Sequence, residues 1–273
     1  PDVVIGTSPQ FFSAVAAWVM AKIKRRPFVF ELRDLWPESI LAVGAMKKSW
    51  LMSQLERLAS FLYRQADLMV PVTSAFAKVL ENEGVPSDRI VVITNGIEPG
   101  SYTPATSPAV TRERWGIPGD AFVAGYIGTL GMAHGVSTVL EAAEQARDDS
   151  TLHFVIMGSG ADKAEIKTKV ETRELHNLTI IDGQPRRDAL DMLNSLDVSL
   201  VLLRNSPLFD TVIPSKIFEA MELGKPILLG VRGESHGIVV EQTQSGLELT
   251  PEDSTELVEK VRQLQSDPVL CKQ

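Results

Sequence analysis

The stretch Thr211–Pro226, TVIPSKIFEAMELGKP, sets a cation and a carboxylate three residues apart on what reads as a short helix. Pro214 suits the first turn of a helix, where its missing N–H has no intrahelical partner to lose. The N–H groups of Ser215, Lys216 and Ile217 then stand free at the positive end of the helix dipole. Lys216 adds a full charge suited to a diphosphate. Glu219 falls on the same helical face as Ser215 and Lys216. Its carboxylate repels phosphate, but its two acceptor oxygens suit a pair of vicinal ribose hydroxyls. These residues describe a nucleoside diphosphate site, and the same spacing also describes a solvated Lys–Glu pair on a surface helix.

Other segments share that chemistry. Tyr126–Gly135, YIGTLGMAHG, follows a strand pattern and opens a helix. Gly128, Gly131 and Gly135 let backbone approach a ligand closely, or let a helix pack on a sheet. His134 lies in the same turn. Gly158 and Gly160 (MGSG) end another strand, and Gln184, Pro185 and Arg186 (DGQPRR) precede another helix. In the first third, Glu31–Ser39 (ELRDLWPES) puts Arg33, Asp34 and Glu38 directly after a strand, where parallel α/β sheets bind ligands.

The elements that must position these residues alternate between β-branched runs and helical patterns, the signature of parallel sheets with crossover helices. The first part reads as strands at 3–5, 28–32, 68–71 and 90–93, with helices at 8–24, 49–65 and 74–83, the last capped by Ser74. The second reads as strands at 122–127, 152–157, 178–181, 198–202, 226–229 and 247–249. Its helices fall at 136–147, 161–172, 187–195, 215–223, 237–244 and 254–265. Between them, 95–118 is rich in Pro, Gly, Ser and Thr, as a linker is. The expected division is residues 1–98, a linker 99–118, and residues 119–273. A doubly wound domain opens on a Gly-rich βα turn, and none precedes the first strand. The first domain is therefore expected to be incomplete, with an uncovered sheet that invites a partner chain or self-association.

With 273 residues, 44% hydrophobic and 23% charged, the chain is long enough for two globular domains. A net charge of −8 argues against nucleic-acid binding, which needs clustered cations. The single cysteine, Cys271, allows no intrachain disulfide, and fits a reducing compartment. No apolar run is long enough to span a membrane. Trp50, Leu51, Leu55, Leu58 and Leu62 recur at helical spacing beside Lys47 and Lys48, and Lys22, Lys24, Arg25 and Arg26 close an earlier helix. Such helices lie on anionic membranes or pack on sheets.

Taken in order, the motifs resemble those of retaining GT-B glycosyltransferases of the group 1, family 4 type, and the likeness spans nearly the whole chain. In that family a Glu-x7-Glu pair spans the donor helix, and Glu219 matches the second Glu, which binds the donor ribose. The first falls on Thr211, a departure. The Arg and Lys of the family's Gly-Arg-Leu…Lys-Gly loop fall on Thr129 and His134. Their loss leaves Lys216 as the main charge for the diphosphate, with His134 as an auxiliary. Gly158 and Gly160 match the family's Gly-x-Gly, and residues 184–186 match the segment near the base. Where relatives show His-Asp, this chain has Arg33-Asp34, a variant resembling bacterial transferases of cell-surface polysaccharide and lipopolysaccharide, amino-sugar transferases among them. Arg33 suits an acceptor phosphate, or an ion-pair network with Asp34 and Glu38. Asn95-Gly96-Ile97 matches the family's Asn-Gly-Val/Ile.

The resemblance implies an α/β GT-B fold, two Rossmann-like domains facing across a cleft. It also implies transfer of a sugar from a nucleotide diphosphate sugar, expected to be UDP-linked, to a glycan or polyprenyl-linked acceptor. Retention at the anomeric carbon is expected. Arg33, Asp34 and Lys216 take the catalytic roles, with Glu38 and Asn95 on the acceptor side. No cofactor and no metal are implied, and the sequence shows no Asp-x-Asp motif. The expected location is cytoplasmic, at the inner face of the membrane. The alternatives are a nucleotide-sugar-binding module without transfer activity, or a nucleotide-sugar epimerase of the same fold.

Overall fold

The computed structural model describes residues 1–42, 44, 49–100 and 102–272. The chain divides into two compact units, residues 1–95 with 206–213, and residues 96–205 with 214–273.

The first unit runs β1 (Val4–Thr7), α1 (Phe11–Lys24), β2 (Phe28–Leu32), α2 (Glu38–Ala42), α3 (Trp50–Gln65), β3 (Leu68–Pro71) and α4 (Ser74–Asn82). Its three strands pair in parallel in the order β1-β2-β3. Phe28, Phe30 and Leu32 of β2 are buried, and Leu62, Met69, Phe76 and Leu80 fill the same core. The cap of α4 is Thr73 rather than Ser74: its hydroxyl accepts from the Phe76 N–H at 3.1 Å. That hydroxyl also donates to the Thr211 carbonyl at 2.9 Å, and Leu208 and Val212 pack on the same core. Residues 206–213 are thereby held in this unit although they follow the second unit's strands.

The expected fourth strand at 90–93 is reduced to one bridge, Met69 to Ile90. Val91 donates to the Met69 carbonyl and Ile93 to that of Pro71. Pro71 has no N–H to return the next ladder bond, so pairing goes no further. The apolar stripe expected on α3 is also divided. Leu62 is fully buried and Leu58 packs on the core, whereas Trp50 and Leu51 are exposed. Lys47 and Lys48 lie outside the described residues.

The second unit contains α5 (Pro108–Arg114), β4 (Phe122–Ile127), α6 (Ser137–Gln145), β5 (Leu152–Gly158), α7 (Lys163–Arg173), β6 (Leu178–Asp182) and α8 (Arg186–Ser195). It continues through β7 (Val198–Leu202), α9 (Lys216–Glu222), β8 (Ile227–Gly230), α10 (Glu234–His236), β9 (Gly246–Glu248) and α11 (Ser254–Ser266). Six parallel strands lie in the order β6-β5-β4-β7-β8-β9. Numbered within the unit this is 3-2-1-4-5-6, the doubly wound order, whose ligand crevice opens at the carboxyl ends of β4 and β7. β5 and β7 are buried along their whole length, as strands covered on both faces must be.

The segment expected to be a linker carries a docked helix. α5 sends Arg112 into the unit, where its guanidinium donates to Asp197 at 2.8 Å, the Ser195 carbonyl at 2.9 Å and the Ala121 carbonyl at 3.1 Å. A helix held by one buried, fully bonded arginine needs no apolar stripe, so periodicity does not announce it.

Candidate functional site

At the carboxyl end of β4 the chain turns through Gly128 at φ +147°. This turn is pinned to the neighbouring strand: the Gly128 N–H donates to the Met157 carbonyl and the Leu130 N–H to that of Ser159, both at 2.9 Å. A Cβ on Gly158 would lie 1.9 Å from the Gly128 carbonyl oxygen, and one on Gly160 would lie 2.0 Å from that of Leu130. Both glycines, expected to meet the donor, therefore serve the seating of the turn. Gly135, at φ +55°, packs beside the Leu203 carbonyl at the end of β7. The turn thus lies at the switch point between β4 and β7.

Lys216 opens α9, whose Ile217 and Ala220 are fully buried and anchor the helix. The lysine ammonium reaches the glycine turn. Its Nζ sits 3.8 Å from the centroid of the Tyr126 ring, and would lie 2.9 Å from a Cβ on Gly128. This Nζ is buried and has no hydrogen-bond partner among the described residues. Burial pushes its pKa down to about 7, against a smaller upward pull from Glu219. The expectation of free N–H groups at the helix start needs correction: the Ile217 N–H is spent on the Pro214 carbonyl at 3.1 Å. His134 also departs from its expected role as a second cation. Burial, then the Lys216 charge, lowers its pKa below the usual histidine value, so it is neutral at pH 7. Its Nδ1 lies 3.3 Å from the Gly131 carbonyl.

Glu219 lies one turn along α9 and faces Arg186 of α8, with N and O 3.3 Å apart. Arg186 is largely exposed, and an exposed pair of this kind contributes ~0–1 kcal/mol. Ile127, Leu190, Ser199, Lys216 and Glu219 line a small hollow beside this pair. Gln184 holds the loop after β6 through a bond to the Asp182 carbonyl at 3.0 Å. Thr129 is exposed, and its carbonyl accepts from the Tyr126 hydroxyl at 2.7 Å. Thus Lys216, Glu219, Gly128, Thr129, Gly131, His134, Pro214, Ser215, Gln184 and Arg186 all belong to the second unit. Thr211 does not. It sits in the first unit in a short turn, with its hydroxyl spent on the Leu208 carbonyl at 2.6 Å.

In the first unit, Ser8 organises the loop after β2. Its buried hydroxyl accepts from the Arg33 and Asp34 N–H groups at 2.9 and 3.1 Å. Arg33 is exposed, and among the described residues its guanidinium forms no ion pair with Asp34 or Glu38, so the alternative of an ion-pair network is not seen. Burial raises the Asp34 pKa against a hydrogen bond from Ser39. Partial desolvation, helped by the charges of Glu56, Glu83 and Asp34, raises that of Glu38. Asn95, half-buried, closes this unit. Among the described residues no three His, Cys, Asp or Glu side chains gather as a metal site would require.

The family model described as "Glycosyl transferases group 1" matches residues 109–273, more than half of the chain. The chain belongs to that family. A "Glycosyl transferase 4-like domain" model matches residues 1–96. Among curated relatives, the putative colanic acid biosynthesis glycosyl transferase WcaI of Escherichia coli is 25% identical over 82% of this chain and 56% of its own length. The alpha-D-kanosaminyltransferase of Streptomyces kanamyceticus is 27% identical over 59% of this chain and 41% of its own. The chain thus spans about half the length of the curated relatives it matches. Anabaena HepE, solved with UDP and glucose, superposes with a TM-score of 0.80 at 20% identity, covering 99% of this chain and 70% of that one. WaaG, a glycosyltransferase involved in lipopolysaccharide biosynthesis, gives 0.68 at 16% identity, over 94% and 74%. These likenesses establish the two-Rossmann GT-B fold.

Within this family member, two residues that sequence reasoning passed over now have places. Ser8 holds the backbone of Arg33 and Asp34, and only its position at the end of β1 hinted at it. Tyr126 lies under Lys216, and its own hint was an aromatic beside a glycine turn.

Proposed function

We propose that this chain transfers a sugar from a nucleotide diphosphate sugar, UDP-linked, to a glycan or polyprenyl-linked acceptor in the building of bacterial surface polysaccharide. The observation that carries the reading is the Lys216 ammonium, buried and without an acceptor beside a glycine turn at the switch point of a doubly wound sheet. Leaving a buried cation unpaired costs several kcal/mol unless a ligand supplies the missing charge. A diphosphate does so, and Glu219 stands one helical turn away to take ribose hydroxyls. As the sugar departs, charge grows on the bridging phosphate oxygen, where Lys216 stabilises it. On the acceptor side, the exposed Arg33 guanidinium suits a phosphate of a lipid-linked acceptor, with Asp34 and Glu38 on the same loop and helix.

The anomeric configuration is proposed to be retained and no divalent ion to be required, as the family likeness implies. The test is UDP release from UDP-glucose and UDP-N-acetylglucosamine with polyprenyl diphosphate-linked sugars as acceptors. Acceptor-dependent release, unchanged by EDTA, with an α-linked product by NMR, is the expected result. Binding of UDP without release would favour a binding module, and interconversion of the sugar without acceptor an epimerase.

Peripheral membrane contact at the cytoplasmic face is part of the proposal. No helix among the described residues is long and apolar enough to cross a membrane. In α1, Phe12, Val19, Met20 and Ile23 are exposed beside the cations Lys22, Lys24, Arg25 and Arg26. The protein is expected to sediment with phosphatidylglycerol vesicles and to be released by salt. Equal sedimentation with phosphatidylcholine vesicles would contradict an electrostatic contact.

A further inference from the structure

Tyr126 is fully buried at the end of β4, in a position that a phenylalanine would fill as well if packing were its only task. It does two further things. Its hydroxyl donates to the Thr129 carbonyl at 2.7 Å, across the glycine turn. Its ring face carries the Lys216 ammonium, 3.8 Å from the centroid, where among the described residues the cation has no hydrogen-bond acceptor. Gly128 completes the arrangement, since a side chain there would meet Nζ at 2.9 Å. The turn is in turn fixed by Gly158 and Gly160 beneath it.

A lysine on four flexible carbons normally keeps its ammonium in water. Here an aromatic face attracts the cation without using any of its three N–H donors. The ammonium is thereby held in one place with all its donors unspent. The charged or titratable groups around it are Glu219 on its own helix, Arg186 across from that carboxylate, and Tyr126 and His134 on the turn side.

We propose that Tyr126 is a positioning residue for the diphosphate: its ring seats the Lys216 ammonium and its hydroxyl fixes the turn beside it. The inference rests on the reading of this site as a nucleoside diphosphate site. With Thr129 uncharged and the His134 pKa lowered by burial and by the Lys216 charge, the placement of this single ammonium decides how well the phosphates are held.

The test compares UDP with uridine, which lacks the phosphates that Lys216 would meet. In calorimetric titrations of the full chain, Tyr126→Leu is expected to weaken UDP binding by about tenfold, the size of a desolvated cation–π contact. Uridine binding should change by less than twofold. Tyr126→Phe keeps the ring but loses the bond to the Thr129 carbonyl, so it should lose some UDP affinity, and less than Tyr126→Leu. Ring-fluorinated phenylalanine at this position, with the same shape and a weakened ring quadrupole, should bind UDP more weakly than Tyr126→Phe. That pair of aromatic variants keeps the test decisive if the leucine variant fails to fold. In a Lys216→Met background none of the Tyr126 changes should alter the UDP-to-uridine ratio further. If wild type binds UDP, Lys216→Met loses it and the fluorinated variant binds as phenylalanine does, the seat is refuted while the site stands. If wild type binds neither UDP nor uridine, both readings fall.

Discussion

Lys216→Met is expected to cut transfer sharply while making the nucleotide-free protein more stable. The ammonium is buried on an aromatic ring with no acceptor, and burial lowers its pKa to about 7 from 10.5. A lysine whose folded pKa lies below its unfolded value destabilises the fold most below pH 7, where the folded state must hold an unsolvated charge or forgo a proton that the unfolded state keeps. The penalty fades as pH climbs from 7 toward 10.5. Methionine removes it, at the loss of the cation–π contact, for a net gain on the order of 2 kcal/mol at pH 6–7. Denaturant unfolding at pH 6 and pH 10 checks the sign: the variant's advantage should shrink at the higher pH. Turnover should fall by roughly 10²–10³, as when one donor to a developing anion is removed. Binding follows the same proton. Above pH 7 the free site increasingly lacks its ammonium, so UDP affinity in the wild type should fall about tenfold per pH unit, a dependence absent from the variant. A flat pH profile in the wild type together with unchanged UDP affinity in Lys216→Met would show that Lys216 does not meet the phosphates.

Glu219→Ala is expected to weaken UDP binding by roughly 10²-fold, the loss of two hydrogen bonds to a charged acceptor. The present partner of Glu219 is an exposed arginine at 3.3 Å, a contact weak enough to yield to a ligand. The assignment to the ribose is separable from a general electrostatic effect. Removing Arg186's partner raises local positive charge, which by itself would tighten UDP binding. Phosphate ligands lacking ribose hydroxyls should therefore bind the variant at least as tightly as the wild type, and 2′-deoxy-UDP should show an intermediate loss. If UDP and its deoxy form weaken by the same factor in the variant, Glu219 acts on something other than the ribose.

Much of this site could be read from residue order because its elements are punctuated. Pro214 and Gly224 bracket α9, and the spacing of Lys216 and Glu219 survives whatever the neighbouring fold does. The parallel strands of the second unit were legible as unbroken apolar runs, since both faces are covered. What escaped the sequence depends on contacts between distant residues. α5 is held by Arg112 reaching Asp197 and the Ser195 carbonyl, and a single bonded arginine leaves no periodic trace. Residues 206–213 belong to the first unit through Thr73 and the core under Leu208 and Val212, which takes Thr211 out of the donor motif's helix. The strand expected at 90–93 fails for want of one N–H, on Pro71 in another strand. Gly158 and Gly160 matched a donor motif, yet the structure uses their missing side chains to admit the carbonyls of Gly128 and Leu130. His134 reads as a cation in sequence and is neutralised by burial and by Lys216.

The most direct test of a diphosphate site between the glycine turn and α9 is a crystal structure of this chain with UDP. A phosphate oxygen is expected about 3 Å from Lys216 Nζ, the ordinary hydrogen-bond distance, with the ribose hydroxyls on Glu219. The second unit has another hollow, about 350 Å³, lined by Pro226, Ile227, Leu247 and Leu264 near the opposite ends of β8 and β9. UDP found there, with Lys216 still alone on its ring, would contradict the account.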